Sequence, residues 1–169
     1  MWRPLAATGL VLAGLTGLGY AVWLLTARRG LFAGIAAAGG QDATVSLAGA
    51  RGSDALDAGW FWATVVLYVV ALLLWAGAWY VGGQRLGPVG FAGLSMVASG
   101  LLAAGAGSAL AWLIGGDGSD AGGVAIGCSV IGVGFALMSG GLFTGVASLI
   151  RERPAEGTSY LGYAGWSAG

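Results

Sequence analysis

Apolar residues fall into four long charge-free runs, at 5–27, 59–83, 86–116 and 121–150. One longer polar segment, two short turns and a polar tail separate or follow them. Each run exceeds the ~20 residues that a helix needs to cross a hydrocarbon core of ~30 Å. The pattern predicts an all-α integral membrane protein, a four-transmembrane-helix bundle with small-residue (Gly/Ala) packing seams. Its helices are expected at about 5–27, 59–83, 88–115 and 122–150, in a single domain over residues 1–153. Residues 28–58 are expected to form an extramembrane loop, and 154–169 a short flexible tail.

Within the loop, GLFAGIAAAGG is apolar enough to lie in the interface as a short helix. The following QDATVSLAGARG has weak alternation, and SDALDAG offers an Asp or Ser cap to the second helix. Pro88 suits the first turn of the third. The first run is read as a retained helix: it is too long for a signal-peptide core, and Arg28-Arg29 separates it from any cleavage-like site.

The fourth run carries eight glycines in GGVAIGCSVIGVGFALMSGGLFTG. A dinucleotide loop would need GxGxxG between a strand and a helix, but Leu137 stands where the third glycine belongs. A Walker loop needs a lysine, and the chain has none. Helical spacing fits better. Gly123, Gly127, Gly134, Gly141 and Gly145 share one face, and Gly93, Gly100 and Gly107 form a heptad stripe on the third run. Helices in lipid associate through close packing rather than a hydrophobic drive, so these stripes are expected to face each other. Gly132 lies on the opposite face, so Gly134→Leu is expected to harm folding or assembly far more than Gly132→Leu. The first run has its own ladder, Gly9, Ala13, Gly17 and Ala21, and is expected to offer a small face to a partner. The bulky second run suits a lipid-facing or peripheral span.

Composition sharpens this picture. The chain of 169 residues is 57% hydrophobic and 8% charged, against about 25% charged in soluble domains, and its mean hydropathy is +0.85. The cations are all arginine, which together with abundant Ala and Gly points to a GC-rich, prokaryotic genome. Zero net charge gives no field to attract nucleic acid, so no nucleic-acid partner is expected. Arg3, Arg85, Arg151 and Arg153 outnumber Arg28, Arg29 and Arg51, which places both termini on the cytoplasmic side of the cell membrane. Trp23, Trp60, Trp62 and Trp112 are expected in one aromatic belt, and Trp2, Trp75, Trp79 and Tyr80 in the other.

Chemistry is sparse. The chain has no histidine and one cysteine, Cys128, read as a packing residue. The four runs contain no charged residue, which argues against coupled transport. IGGD at 114–117 lacks the first glycine and the second helical aspartate of an intramembrane aspartyl protease. No catalytic residue, cofactor or metal site is expected, and no enzymatic activity. The sequence supports a structural or accessory role, with the lipid bilayer and a homo-oligomer or larger membrane complex as partners. The alternative is an oligomeric channel or permease for a small uncharged solute, with Ser95 and Ser99 as the candidate polar path.

Overall fold

The computed structural model describes residues 2–39, 54–80, 86–115 and 120–151. Residues 40–52, 81–85, 116–119 and 152–169, with the turns and tail expected there, lie outside them, as does Ser53, the serine proposed to cap the second helix. The fold is helical throughout the described residues. α1 (Trp2–Trp23) passes through a π turn (Leu24–Arg28) into α2 (Arg29–Ala38). α3 (Asp54–Tyr80), α4 (Pro88–Gly115) and α5 (Ala121–Arg151) follow. Four helical stretches, 3–38, 57–80, 88–114 and 121–151, are each long and apolar enough to cross a membrane.

The ends of these helices have local causes. Pro88 opens α4, where a missing N–H costs nothing. Asp120 precedes α5, and its carboxylate accepts the Gly122 N–H at 2.9 Å, satisfying one of the first-turn donors. At the far end of α5, Arg3 reaches across from α1 and donates to the Leu149 carbonyl, placing a cation on the negative end of the helix dipole. α2 stops at Gly39, whose φ of 60° is open to glycine at little cost.

α5 is the central helix. α4 packs along it closely, α1 packs on another side, and α2 rests on its first turns, where Phe32 and Ile35 meet Ala121 and Ala125. α3 packs against α1.

Three expectations are refined or corrected. The short helix expected in GLFAGIAAAGG is present, but no loop separates it from the first: the helix continues through the π turn to Ala38, because an apolar stretch with Phe32 and Ile35 on one side can bury them on α5. The second run does leave Val66, Val69, Val70 and Leu73 exposed, but the third run is the more peripheral span. Only 11% of the most apolar window of α4 is buried, against 28% in α3, because α3 turns Thr64, Tyr68, Ala71, Trp75 and Ala78 inward on one stripe. The small ladder of α1 is not left for a partner. Ala13 and Ala21 are buried, a Cβ at Gly9 would stand 2.9 Å from Leu74, and one at Gly17 would collide with the Tyr68 hydroxyl.

Candidate functional site: a glycine seam, a part-buried ion pair and an apolar cleft

The glycine stripes meet at backbone distance. A Cβ built on Gly100 would stand 2.5 Å from the Gly134 carbonyl oxygen, and one on Gly134 would stand 2.6 Å from the Gly100 carbonyl oxygen and the Ala104 nitrogen. Gly141 sits the same way on the Gly93 carbonyl, at 2.5 Å. Gly107 lies against Ile131, and Gly127 against Ala111. Gly123 is buried in the first turn of α5. Such distances leave no room for any side chain, so the helices are held by main-chain contact.

At one end the seam takes in a third helix. The Trp75 indole of α3 lies 2.9 Å from a Cβ position on Gly145 and 3.1 Å from one on Gly93. Two missing side chains form the slot that this ring fills. Trp75 is therefore a core residue, 1% exposed, and not part of an aromatic belt. Its neighbour Trp79 lies with ring centroids 4.7 Å away, and both indole N–H groups are buried without an acceptor. That arrangement is tolerated only where ring packing outweighs the unmade bonds.

The opposite face of α5 is also occupied. A Cβ on Gly132 would stand 2.7 Å from Leu25 and 3.3 Å from the Ala21 carbonyl oxygen. The face opposite the seam carries the end of α1 and the π turn. α5 thus uses glycine on two sides.

The π turn has a geometric consequence. In an unbroken α-helix, Arg28 would lie about 80° past Tyr20 around the axis. One additional residue in the turn takes up about 100° and brings the two within about 20° of one face. Both then reach the same carboxylate. Arg28 Nη1 lies 2.9 Å from Asp57 Oδ2, and the Tyr20 hydroxyl donates to Asp57 Oδ1 at 3.0 Å. The side chains of the pair are 14% and 17% exposed. The guanidinium also sits 5.5 Å from the ring centroids of Trp23 and Phe32, a cation–π sandwich suited to a poorly hydrated site. Buried Cys128 of α5 lies within electrostatic reach of the same group.

Sequence reasoning missed this cluster because Arg28 and Asp57 fall just outside the apolar runs, in what reads as a loop. No sequence signal marks it, because Tyr20 and Arg28, eight residues apart, would not share a face of a regular helix. Tyr20, Arg28 and Asp57 are engaged with one another, so the arrangement clamps the end of α1 to the start of α3.

Below this clamp, α3 and α4 stand apart and leave an apolar cleft of about 380 Å³. α3 forms one wall from Phe61 to Leu72, α4 forms the other from Val97 to Ser108, and Ile131, Phe135 and Met138 of α5 make the floor. The polar groups beside it are turned away. Ser108 bonds to its own Ala104 carbonyl at 3.0 Å. The Tyr68 hydroxyl is 2.8 Å from Ser139 Oγ. Ser95 and Ser99 are outside the lining, exposed on α4, and Ser95 donates to the Phe91 carbonyl at 3.0 Å.

Among the described residues, no group of three or more His, Cys, Asp or Glu side chains is placed to hold a metal ion. No family model matches the chain, and no curated protein or solved structure matches it either.

Proposed function

We propose that this chain is a small multi-pass protein of the cell membrane with a structural or accessory role, its termini cytoplasmic, packing with itself or within a larger membrane complex. One observation carries the reading: the outer face of α4 is uncovered and sets small residues between large ones. Ala98, Ala106 and Ala109 are exposed there beside Leu102 and Leu113, which leaves gaps a partner side chain can enter, whereas the uncovered face of α3 carries Val66, Val70 and Leu73. A surface that meets only lipid has no need of small residues, and a surface that meets another helix does. In this reading the seam glycines Gly93, Gly100, Gly107, Gly123, Gly127, Gly134, Gly141 and Gly145 serve close packing inside the chain, and α4 turns its other side to the partner.

Extraction into a mild detergent or native-lipid particles, followed by size analysis and affinity capture, tests the proposal. A homo-oligomer or a retained membrane partner is expected, and Ala106→Leu on α4 should weaken it. A strictly monodisperse monomer that retains nothing would overturn it. The permease reading gains nothing from Ser95 and Ser99, which lie outside the cleft. Solute flux in proteoliposomes that disappears in Ser95→Leu would revive it.

A further inference from the structure

The buried positions of the first long helix repeat regularly up to the π turn and then slip. Ala6, Leu10, Ala13, Gly17, Tyr20 and Leu24 are buried at alternating spacings of four and three, the stripe of a helix laid along its partners. Its continuation would be Ala27, Leu31 and Gly34, and all three are exposed. The residues turned inward are the next in sequence: Arg28, part-buried, with Phe32 and Ile35, the buried side chains of α2. The slip of one residue is the π turn, where the Arg29 N–H donates to the Leu24 carbonyl five residues back.

The segment after the turn therefore carries two apolar faces about 100° apart. One, Phe32 and Ile35, rests on Ala121 and Ala125 of α5. The other is Ala27, Leu31 and Gly34, with Leu31 47% exposed and open space around a Cβ on Gly34. Closing the π turn to α would rotate α2 by about 100° and bring the second face to the place of the first. That register regains regular i→i+4 hydrogen bonds and keeps an apolar contact. It forfeits what the π register alone provides. Arg28 leaves Asp57, to which it is paired at 2.9 Å, and Phe32 leaves the guanidinium 5.5 Å from its ring centroid. The ion pair and the seating of Phe32 and Ile35 are thus made or lost together, which is what a two-state element requires. The pair is also within reach of water. Arg3 and Arg28 are separated by about 38 Å of helix rise, so in a bilayer they bracket the ~30 Å core and Arg28 stands at its edge.

We propose that Leu24–Arg28 is a register switch, held in its π form by the Arg28–Asp57 ion pair. Loss of the pair closes the turn to α, rotates α2, and exchanges Phe32 and Ile35 for Leu31 and Gly34 on α5. α1, packed on α3 and α5 along its length, stays in place, while the surface that α2 shows beyond the membrane edge changes. The outer face of α4 takes no part, so the switch stands or falls apart from the proposed assembly.

The experiment uses the full chain in phosphatidylcholine vesicles, with Cys128→Ser removing the native thiol and Ala121→Cys on α5 as the common partner. Ile35→Cys reports the π register and Gly34→Cys the α register, each through the rate of disulfide formation with position 121, mapped by mass spectrometry. With Asp57 intact, the pair at 35 should form roughly tenfold faster than the pair at 34, and Asp57→Asn should lower that ratio roughly tenfold or reverse it. Deletion of Ala27 removes the extra residue of the turn. A regular helix then carries Arg28, Phe32 and Ile35 on the stripe of Tyr20 and Leu24, so the preference for position 35 should survive Asp57→Asn. An unchanged ratio in Asp57→Asn without the deletion would overturn the proposal, because the ion pair would not be what holds the register. Loss of both cross-links would overturn it as well, by showing that α2 detaches rather than turns. So would a deletion variant that responds to Asp57→Asn as the undeleted chain does.

Discussion

α3 and α4 are apolar helices of almost equal length, 27 and 28 residues, and they join the bundle in opposite ways. α4 is held by what it lacks. Its glycines let its backbone touch that of α5, so the contact is continuous, short-range and intolerant of any added atom. α3 is held by what it extends. Trp75 reaches into the slot at Gly93 and Gly145, Tyr68 reaches Ser139, and Asp57 reaches Arg28 and Tyr20. Its contacts are discrete pins with a gap between them, and the cleft is that gap. In lipid, apolar burial does not by itself drive helices together. Helix association then depends either on backbone proximity or on a few long side chains that find well-shaped receptors.

The comparison can be broken most directly at the seam. Gly134→Leu puts a side chain into the Ala104 and Gly100 backbone of α4, and it should cost about 3 kcal/mol or prevent folding, read as stability to denaturant in micelles. A variant of normal stability would remove the backbone-contact account of α4. Trp75→Ala is next, at about 2 kcal/mol: it empties the slot but leaves the seam intact, and in lipid the cavity rather than transfer dominates the loss. If it equalled or exceeded Gly134→Leu, α3 would be more than pinned.

The clamp gives a third test. Asp57→Leu leaves part-buried Arg28 without its carboxylate and should destabilise by about 2 kcal/mol, while the double variant Asp57→Leu with Arg28→Met should recover part of that loss. Additive losses would mean that the pair does not act as a unit. Gly132→Leu should be milder than Gly134→Leu, at about 1 kcal/mol, because its chief obstacle is the flexible Leu25 side chain. Equal damage at 132 and 134 would erase the distinction between seam and side-chain contact. Ser95→Leu lies outside both systems and should shift thermal stability by less than about 0.5 kcal/mol.

Legibility from sequence followed the nature of each contact. Helix positions were readable because hydropathy and length act locally, and Pro88 marked its own helix start. The clamp was not readable, since it depends on a π turn whose extra residue appears nowhere as a sequence signal. Trp75 illustrates the same limit. Near the end of an apolar run it resembles an interfacial anchor, and only the slot formed by two glycines on two other helices makes it core. Gly132 is the converse case, a position that looks free when one interface is considered and is occupied by another.

Taken alone, the sequence determined that four helical stretches are long and apolar enough to cross a membrane, because the bilayer imposes a length and backbone hydrogen bonding imposes a helix. It also determined the spacing of the small residues. Only the tertiary structure decided which atoms those glycines meet, that α1 continues past its charged pair into α2, and that α3 and α4 diverge to leave a cleft. Those outcomes depend on where side chains from distant segments end up relative to one another, and no local periodicity encodes that.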